Sequence, residues 1–297
     1  MTLLTRPDGT PPADFALTRR GVAAVFFAGY AAAALSAEAA PIVTDEAGLK
    51  TETVHIPSAG FSLPAYVARP AKPGRFPAVL VASEIFGVHD YIKDVCRRLA
   101  KRGYVAIAPA FFVRVADPAP LADMAAVMRI VQQASDQQVM GDVGATLHWL
   151  EAQRFVDPRA LAITGFCYGG GVTWLACERF AQLRCGVAWC GKMVRPPAAA
   201  GSAAPDPARL WPAEHAEELK APVLGLYGGK DPLSQGVPAM RAALAKAGKS
   251  QSQIVVYDDA GHGFHADYRA SYVEADARDG WTRMLAWFAA NGVAPKG

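Results

Sequence analysis

From Thr51 onward, short apolar runs alternate with longer stretches whose apolar residues recur at helical spacing. The run 76–82, FPAVLVA, is apolar at every position, which is typical of a strand covered on both faces of its sheet. An alternation of this kind predicts a mainly parallel sheet with helices packed on both faces. The predicted fold class is therefore α/β.

The same pattern predicts eight strands, the first two of which form an antiparallel lead-in to the parallel part of the sheet. The predicted strands span residues 52–56, 62–68, 76–82, 104–108, 161–164, 185–189, 223–227 and 254–257. Helices are predicted over residues 91–102, 121–134, 138–152, 237–247 and 275–291, with a further helix after Gly170.

The length and charge of the chain narrow the range of partners. A chain of 297 residues, 52% of them hydrophobic, can bury one large core, and we expect a single monomeric domain over residues 40–297. The net charge is +3 and no run of Lys or Arg follows residue 50, which argues against a nucleic-acid-binding surface. A small neutral or anionic substrate fits this charge better.

The five cysteines form no CxxC motif and no Cys/His pair at the spacing of zinc ligands. Neither a disulfide framework nor a structural metal is therefore indicated. We expect a protein that uses no metal and no cofactor, with most of its thiols buried as small apolar side chains.

The N-terminal segment has the layout of an export signal. Arg19 and Arg20 precede an uncharged run over residues 21–36, and the small residues Ala37 and Ala39 flank Glu38 as a signal peptidase requires. The run is shorter than the roughly 20 residues that span a bilayer. We expect residues 1–39 to be a cleaved signal that resembles the twin-arginine type. Its removal would leave a periplasmic or secreted protein without a membrane span. The alternatives are an uncleaved anchor, or a misassigned start and a cytoplasmic protein.

Residues 194–217 interrupt the alternation with a Pro- and Ala-rich insertion that has no strong periodicity. A loop of this length in a compact domain is usually a lid or a disordered segment. The sequence is equally compatible with a lid over a site and with a solvated linker.

The segment 165–169, GFCYG, follows a predicted strand directly and opens a helix, which is the context of a nucleophile elbow. Its two glycines suit a cramped turn where neighbouring backbones tolerate no Cβ. The turn would leave the side chain of Cys167 exposed above the sheet edge, with the N-terminus of the helix favouring its thiolate.

Two further residues follow predicted strands in the order that such a fold requires, nucleophile, acid and then histidine. Asp231 comes after strand 223–227, and His262 comes after strand 254–257. Each alone is equally compatible with an ordinary turn or a structural histidine. Together they predict a triad in which His262 takes the proton of Cys167 and Asp231 orients the imidazole. The backbone N–H groups of Ile85 and Tyr168 would form the oxyanion hole.

Four segments resemble the dienelactone hydrolase (carboxymethylenebutenolidase) family, which has the α/β-hydrolase fold. They are 83–87 (SEIFG), 165–170 (GFCYGG), 231–232 (DP) and 260–264 (AGHGF), and the resemblance covers roughly residues 50–292. It implies a Cys-His-Asp triad at Cys167, His262 and Asp231. It also implies that Glu84 contacts the resting thiol and takes part in its activation when substrate binds, although a loop carboxylate with no catalytic role is the alternative.

The resemblance further implies two arginines that hold a substrate carboxylate. Arg114 matches the first, and a guanidinium binds a carboxylate through two parallel hydrogen bonds. The second would lie four residues after the catalytic histidine, where this chain has Ala266. Arg269 or His265, from the same loop, are the candidate substitutes, with solvent exposure as the alternative for both arginines.

The sequence thus predicts a hydrolase that cleaves a small ester or lactone, with or without a carboxylate, through a thioester on Cys167. One competing hypothesis is a non-catalytic relative that binds an acyl or lactone ligand. A second competing hypothesis is a hydrolase with the same chemistry that acts on larger esters or polymers, with the insertion 194–217 forming part of a wider groove.

Overall fold

The computed structural model describes residues 41–196 and 209–295. The predicted export signal, residues 1–39, lies outside the described residues. Within the part of the chain that is described, none of the helices is both long and apolar enough to cross a bilayer.

Eight strands form one sheet in the order β1-β2-β4-β3-β5-β6-β7-β8. The strands are β1 (Leu49–Ser58), β2 (Phe61–Pro70), β3 (Phe76–Ala82), β4 (Val105–Pro109), β5 (Val156–Phe166), β6 (Leu183–Trp189), β7 (Val223–Gly228) and β8 (Gln253–Tyr257). Strand β2 pairs antiparallel with both β1 and β4, and every pair from β4 to β8 is parallel. The predicted α/β class and the antiparallel lead-in are confirmed.

Helices cover the sheet on both faces, so that two apolar layers are buried. The helices are α1 (Asp90–Lys101), α2 (Met124–Gln133), α3 (Asp136–Glu151), α4 (Tyr168–Arg179), α5 (Val237–Lys246) and α6 (Glu274–Ala290). One face packs against α2, α3, α4 and α5, and the other packs against α1 and α6. Strands β3 and β4 are buried at every position, as their continuous apolar sequences predict.

Most element boundaries differ from the prediction by a few residues, and two of these differences have identifiable reasons. Strand β5 begins at Val156, five residues before the predicted start, because its first part (VDPRA) contains a proline and charged residues that hide the strand pattern. The ladder with β3 shifts register between Phe76 and Ala78, and this irregularity accommodates the polar start of the strand. Helix α4 begins at Tyr168 rather than after Gly170, so it starts immediately behind Cys167.

The C-terminal described part of the insertion 194–217 is attached to the body of the protein. The backbone N–H of Ala213 donates to the carbonyl oxygen of Met193 at 2.9 Å. The buried carboxylate of Asp136, at the first position of α3, accepts from Arg209 at 3.2 Å and from the N–H of Leu210 at 2.7 Å. These contacts hold the C-terminal part of the insertion beside the helices of that face.

Candidate active site

The backbone turns sharply between β5 and α4, and Cys167 is the single residue in the turn. Its φ of 57° and ψ of −112° lie in a region that side chains other than glycine rarely adopt. Its N–H donates to the carbonyl oxygen of Trp189 at 2.8 Å, which fixes the turn to the end of β6. The predicted elbow geometry is therefore present, and it aims the thiol along the carboxyl edge of the sheet. The prediction that the Cys167 side chain is exposed is wrong, because Cys167 is fully buried in the apolar layer on one face of the sheet.

The glycines on either side of Cys167 are required by close backbone approach. A Cβ at Gly165 would lie 2.0 Å from the carbonyl oxygen of Gly169, and a Cβ at Gly169 would lie 2.1 Å from the carbonyl oxygen of Ala82. The second contact presses the start of α4 against the end of β3. As a result, the loop that follows β3, with Glu84 and Ile85, is held next to the turn.

Asp231 and His262 come from the loops after β7 and β8 and meet at the same edge. Asp231 Oδ2 lies 2.7 Å from His262 Nδ1, and its other oxygen accepts from the N–H of Leu233 at 3.0 Å. Both side chains are almost fully buried. The carboxylate is thereby fixed by two hydrogen bonds and can determine which way the imidazole faces.

Cys167 lies close enough to His262 to raise the pKa of the imidazole, so the structure brings the three residues of the predicted triad together. Burial by itself lowers the pKa of His262, and hydrogen bonds with Asp231 and with Cys167 overcome it, so the pKa rises to about 10. The imidazole is therefore in its protonated, positively charged form at neutral pH, and it lies between a carboxylate and a sulfur. Such an arrangement can stabilise a thiolate and later donate a proton.

The two predicted oxyanion donors lie on the loops that the glycine contacts hold together. Tyr168 is the first residue of α4, where an N–H has no acceptor within the helix. Ile85 lies in a turn closed by the N–H of Gly87 donating to the carbonyl oxygen of Glu84 at 3.2 Å. Among the described residues we find no hydrogen-bond acceptor for the N–H of Ile85 or of Tyr168.

Glu84 is fully buried and binds three side chains. Arg269 Nη2 lies 2.8 Å from Oε1, while Tyr268 Oη donates to Oε2 at 2.7 Å and His89 Nε2 lies 3.3 Å from the same oxygen. Burial alone would raise the pKa of Glu84, but the charge of Arg269 and the bond with His89 hold the pKa well below its usual range. Glu84 is thus an ionised carboxylate in an ion pair, where the sequence predicted a contact with the resting thiol.

Arg269 and His265, the two candidates for the second carboxylate ligand, have different surroundings. Besides Glu84, Arg269 Nε donates to Tyr268 Oη at 3.0 Å, and its Nη1 has no hydrogen-bond partner among the described residues. Burial lowers the pKa of His265 to about 3, and Tyr91 Oη lies 2.9 Å from its Nδ1. A neutral imidazole attracts a carboxylate far less than a guanidinium does, so the structure favours Arg269.

The structure places Arg114, the other predicted carboxylate ligand, in a different ion pair. Its guanidinium binds the buried carboxylate of Asp142 and the carbonyl oxygen of Ser58, and it lies 4.5 Å from the ring centroid of Phe61. Arg114 is therefore held in an ion pair with a buried carboxylate, as Arg269 is with Glu84, and its buried Nε has no hydrogen-bond partner among the described residues.

Three residues at or beside this edge were missed by the sequence analysis. Tyr268 and His89 both bind Glu84, and Cys190 lies at the end of β6, close to Asp231 and His262. The thiol of Cys190 and one ligand atom from each of Asp231 and His262 lie within 4.8 Å of one another, and all three residues are buried. These three could hold a metal ion. The signal that could have revealed Cys190 is its place directly after β6, between two strands that carry predicted site residues.

Comparison with known proteins gives a consistent assignment. The model of the dienelactone hydrolase family matches residues 63–292. A protein of Salmonella typhimurium named "Putative carboxymethylenebutenolidase" is 44% identical over 89% of this chain and 96% of its own length. A Bradyrhizobium protein named "Probable 2-oxo-3-(5-oxofuran-2-ylidene)propanoate lactonase" is 31% identical over 78% of this chain and 91% of its own length. The crystal structure of a "Putative Dienelactone Hydrolase" from Klebsiella pneumoniae superimposes with a TM-score of 0.74 at 44% identity, covering 81% of this chain and 98% of that one.

Proposed function

Because this chain belongs to the dienelactone hydrolase family, whose members hydrolyse ester or lactone bonds, we propose that it does so through a cysteine nucleophile, Cys167. The observation that carries the proposal is that Asp231 is hydrogen-bonded to His262 and that His262 lies beside Cys167. In such an arrangement the carboxylate orients the imidazole, and the imidazole controls the proton of the nucleophile.

The first half of the reaction forms a thioester. The sulfur of Cys167 attacks the carbonyl carbon of the substrate, and negative charge develops on the carbonyl oxygen. The N–H groups of Ile85 and Tyr168 stabilise this oxyanion. The carbon–oxygen bond of the ester or lactone then breaks, and the proton held by His262 is transferred to the departing oxygen. In a lactone the new hydroxyl stays attached to the acyl group.

The second half of the reaction returns the enzyme to its starting state. His262, now neutral, takes a proton from a water molecule, and the resulting hydroxide attacks the thioester carbon. The carbon–sulfur bond breaks, the carboxylic acid leaves, and Cys167 again lies beside a protonated His262. Asp231 stabilises the imidazolium in both halves through the bond to Nδ1.

We further propose that the substrate is a lactone that carries a carboxylate, with Arg269 as its binding residue. Arg269 Nη1 is buried and has no hydrogen-bond partner among the described residues, so it retains a donor for an anion. Its charge also acts on Cys167, which lies close enough to be affected by it. The name of the Bradyrhizobium relative describes a substrate of this class, a lactone joined to a propanoate.

The experiment that tests the nucleophile is pre-steady-state hydrolysis of p-nitrophenyl acetate, followed by mass spectrometry of the acid-quenched enzyme. We expect a burst of p-nitrophenolate, continued turnover and an acetyl group on the peptide that contains Cys167. Cys167→Ala should abolish all three, whereas Cys177→Ala, which removes a buried thiol from α4, should retain them. Turnover by Cys167→Ala would contradict the proposal. Acetylation without turnover would instead favour a protein that binds acyl ligands.

We also propose that the protein is exported and that it is a monomer. The proposal of export is based on residues 1–39, which contain paired arginines, an uncharged run and a small-residue cleavage pattern. Expression of the full chain, cell fractionation and N-terminal sequencing would test it. We expect mature protein in the periplasm beginning at Ala40, and a monomer by light scattering. An uncleaved cytoplasmic product would exclude export.

A further inference from the structure

The strand order forces one more sulfur to lie beneath the triad. Cys167 follows β5, Asp231 follows β7 and His262 follows β8, while β6 lies between β5 and β7 in the sheet. His262 must therefore reach across the ends of β7 and β6 to contact Cys167. The residue after β6 is Cys190, so its side chain is positioned where the histidine and the carboxylate meet.

The environment of Cys190 is unusual for a thiol that only fills space. It is fully buried, and its φ of 53° lies in the left-handed region. Its N–H donates to the carbonyl oxygen of Leu226 at 2.9 Å, which fixes the backbone to β7. The backbone N–H groups of Gly228 and Gly263 act as hydrogen-bond donors toward the sulfur. These donors stabilise negative charge on the sulfur, and they act against burial, which holds the pKa of the Cys190 thiol well above its usual range.

We propose that Cys190, Asp231 and His262 form a binding site for a borderline-soft divalent cation of the Zn²⁺ class. The three ligand atoms already lie within 4.8 Å of one another, and a sulfur, a nitrogen and a carboxylate oxygen are the donor types that Zn²⁺ takes in proteins. The close approach of these atoms means that small side-chain movements suffice to bring all three to coordination distance.

The charge balance of the complex suits a buried position. Binding replaces the proton on the Cys190 thiol and the proton that His262 shares with Asp231, so both protons are released as the metal enters. The carboxylate and the new thiolate contribute two negative charges, which the dication neutralises. A neutral complex avoids the cost of burying a net charge, and the backbone donors of Gly228 and Gly263 remain directed at the sulfur.

Occupation of this site would switch the enzyme off reversibly. A metal bound to the imidazole prevents His262 from holding and transferring the proton that both halves of the reaction need. This consequence rests on the proposed function, whereas the binding of the metal to Cys190 does not. Metal binding and inhibition by the metal are therefore tested by different measurements.

Binding is tested with Co²⁺ as a spectroscopic substitute for Zn²⁺, added to the full-length protein under anaerobic conditions. A sulfur ligand gives a thiolate-to-cobalt charge-transfer band in the near ultraviolet, and tetrahedral coordination gives strong visible absorption. We expect both signals in the wild type and in Cys167→Ser. We expect Cys190→Ser to lose the charge-transfer band, with circular dichroism and thermal unfolding confirming that the variant is folded.

The outcomes distinguish metal binding at Cys190 from metal binding at the nucleophile, Cys167. Absence of the band in the wild type, its persistence in Cys190→Ser, or its loss in Cys167→Ser would each overturn the proposal. Inhibition is then measured as the Zn²⁺ concentration that halves p-nitrophenyl acetate turnover, with recovery after chelation. We expect Cys190→Ser to require at least tenfold more Zn²⁺, relative to its own metal-free rate. If wild-type protein does not turn over any ester, the proposed function fails while the cobalt result still decides the metal site.

Discussion

Glu84 and Arg269 form an ion pair, with Nη2 of Arg269 2.8 Å from Oε1 of Glu84, and both side chains are withdrawn from solvent. Glu84 lies on the loop that carries the predicted oxyanion donor Ile85, and Arg269 lies on the loop after β8 that carries His262. A buried ion pair stabilises a fold only weakly overall, yet breaking it by removing one partner is costly. The pair therefore keeps the loop after β3 in one arrangement and offers a cation to the site.

Replacement of Arg269 by methionine should destabilise the protein because it leaves Glu84 as a buried charge without its principal partner. We expect the free energy of unfolding to fall by about 3–5 kcal/mol, measured by urea denaturation. Arg278→Met removes an exposed arginine paired with Glu274, and it should cost about 1 kcal/mol or less.

The double variant Glu84→Gln/Arg269→Met distinguishes coupling from two independent losses. Removal of both charges should recover part of the lost stability, because the uncompensated charge is gone. If the losses of unfolding free energy in the two single variants simply add, Glu84 and Arg269 are not coupled, and the ion pair does not hold the loop after β3.

Asp231→Asn should reduce turnover without greatly disturbing the fold. The amide can occupy the same space, but it no longer stabilises an imidazolium or selects the tautomer of His262 that faces Cys167. We expect kcat for p-nitrophenyl acetate to fall by about 10⁴-fold. Asp259→Asn, which changes an exposed carboxylate in the loop after β8 that pairs with Lys230, should leave kcat within about twofold. A comparable loss in both variants would point to distortion of the loops.

The raised pKa of His262 predicts a pH-dependent contribution to stability. The folded-state pKa of about 10 exceeds the ordinary value of 6.5, so the folded protein binds more protons than the unfolded chain between these values. Stability from this group is complete below about pH 6.5 and is lost as the pH rises toward 10. The difference in unfolding free energy between wild type and His262→Gln should therefore shrink from about pH 6 to about pH 10 in urea titrations. A constant difference would mean that the imidazole is neutral in the folded state.

The strands and the order of the site residues could be predicted from the sequence because both depend on local patterns. Apolar runs identify strands, and the carboxyl ends of parallel strands share one edge, so residues that follow them meet there. The glycines at 165 and 169 were predicted for the right reason, since each lies within contact distance of another backbone. Strand β5 was predicted without its first five residues, because proline and charged residues obscure that part, and β1 was predicted over five of its ten residues.

The ion-pair partners of the charged residues could not be predicted. Arg114 pairs with Asp142, 28 positions along the chain, and Glu84 pairs with Arg269, 185 positions away. Which carboxylate a guanidinium meets depends on how helices and loops pack, and neither periodicity nor residue spacing encodes this. The place of Cys190 depended on strand order, which the pattern of strands does not fix before the topology is known.

Arg114→Met should lower stability rather than impair recognition of a carboxylate. The guanidinium is bound to a fully buried Asp142, so its loss should cost about 3–5 kcal/mol in unfolding free energy. We expect kcat/KM for carboxylated lactones and for neutral esters to change by the same factor. Arg269→Lys, measured on the same substrates, should impair the carboxylated lactones selectively, because a lysine lacks the planar fork. A selective loss in Arg114→Met would instead assign substrate binding to Arg114.

Glu178, on α4 and away from the site, should limit stability at alkaline pH. Burial raises its pKa to about 9, with the charge of Glu218 acting in the same direction. The folded state therefore keeps a proton that the unfolded chain releases above its ordinary value of 4.5, and stability falls as the pH rises from there toward 9. Glu178→Gln retains the shape without the ionisation, so it should be more stable than wild type by about 1–3 kcal/mol at about pH 8. Near pH 4 the two proteins should differ little, and the exposed Glu217→Gln should show no pH-dependent gain in the same thermal and urea unfolding measurements. Equal stability of Glu178→Gln and wild type across this range would show that Glu178 is ionised in the fold.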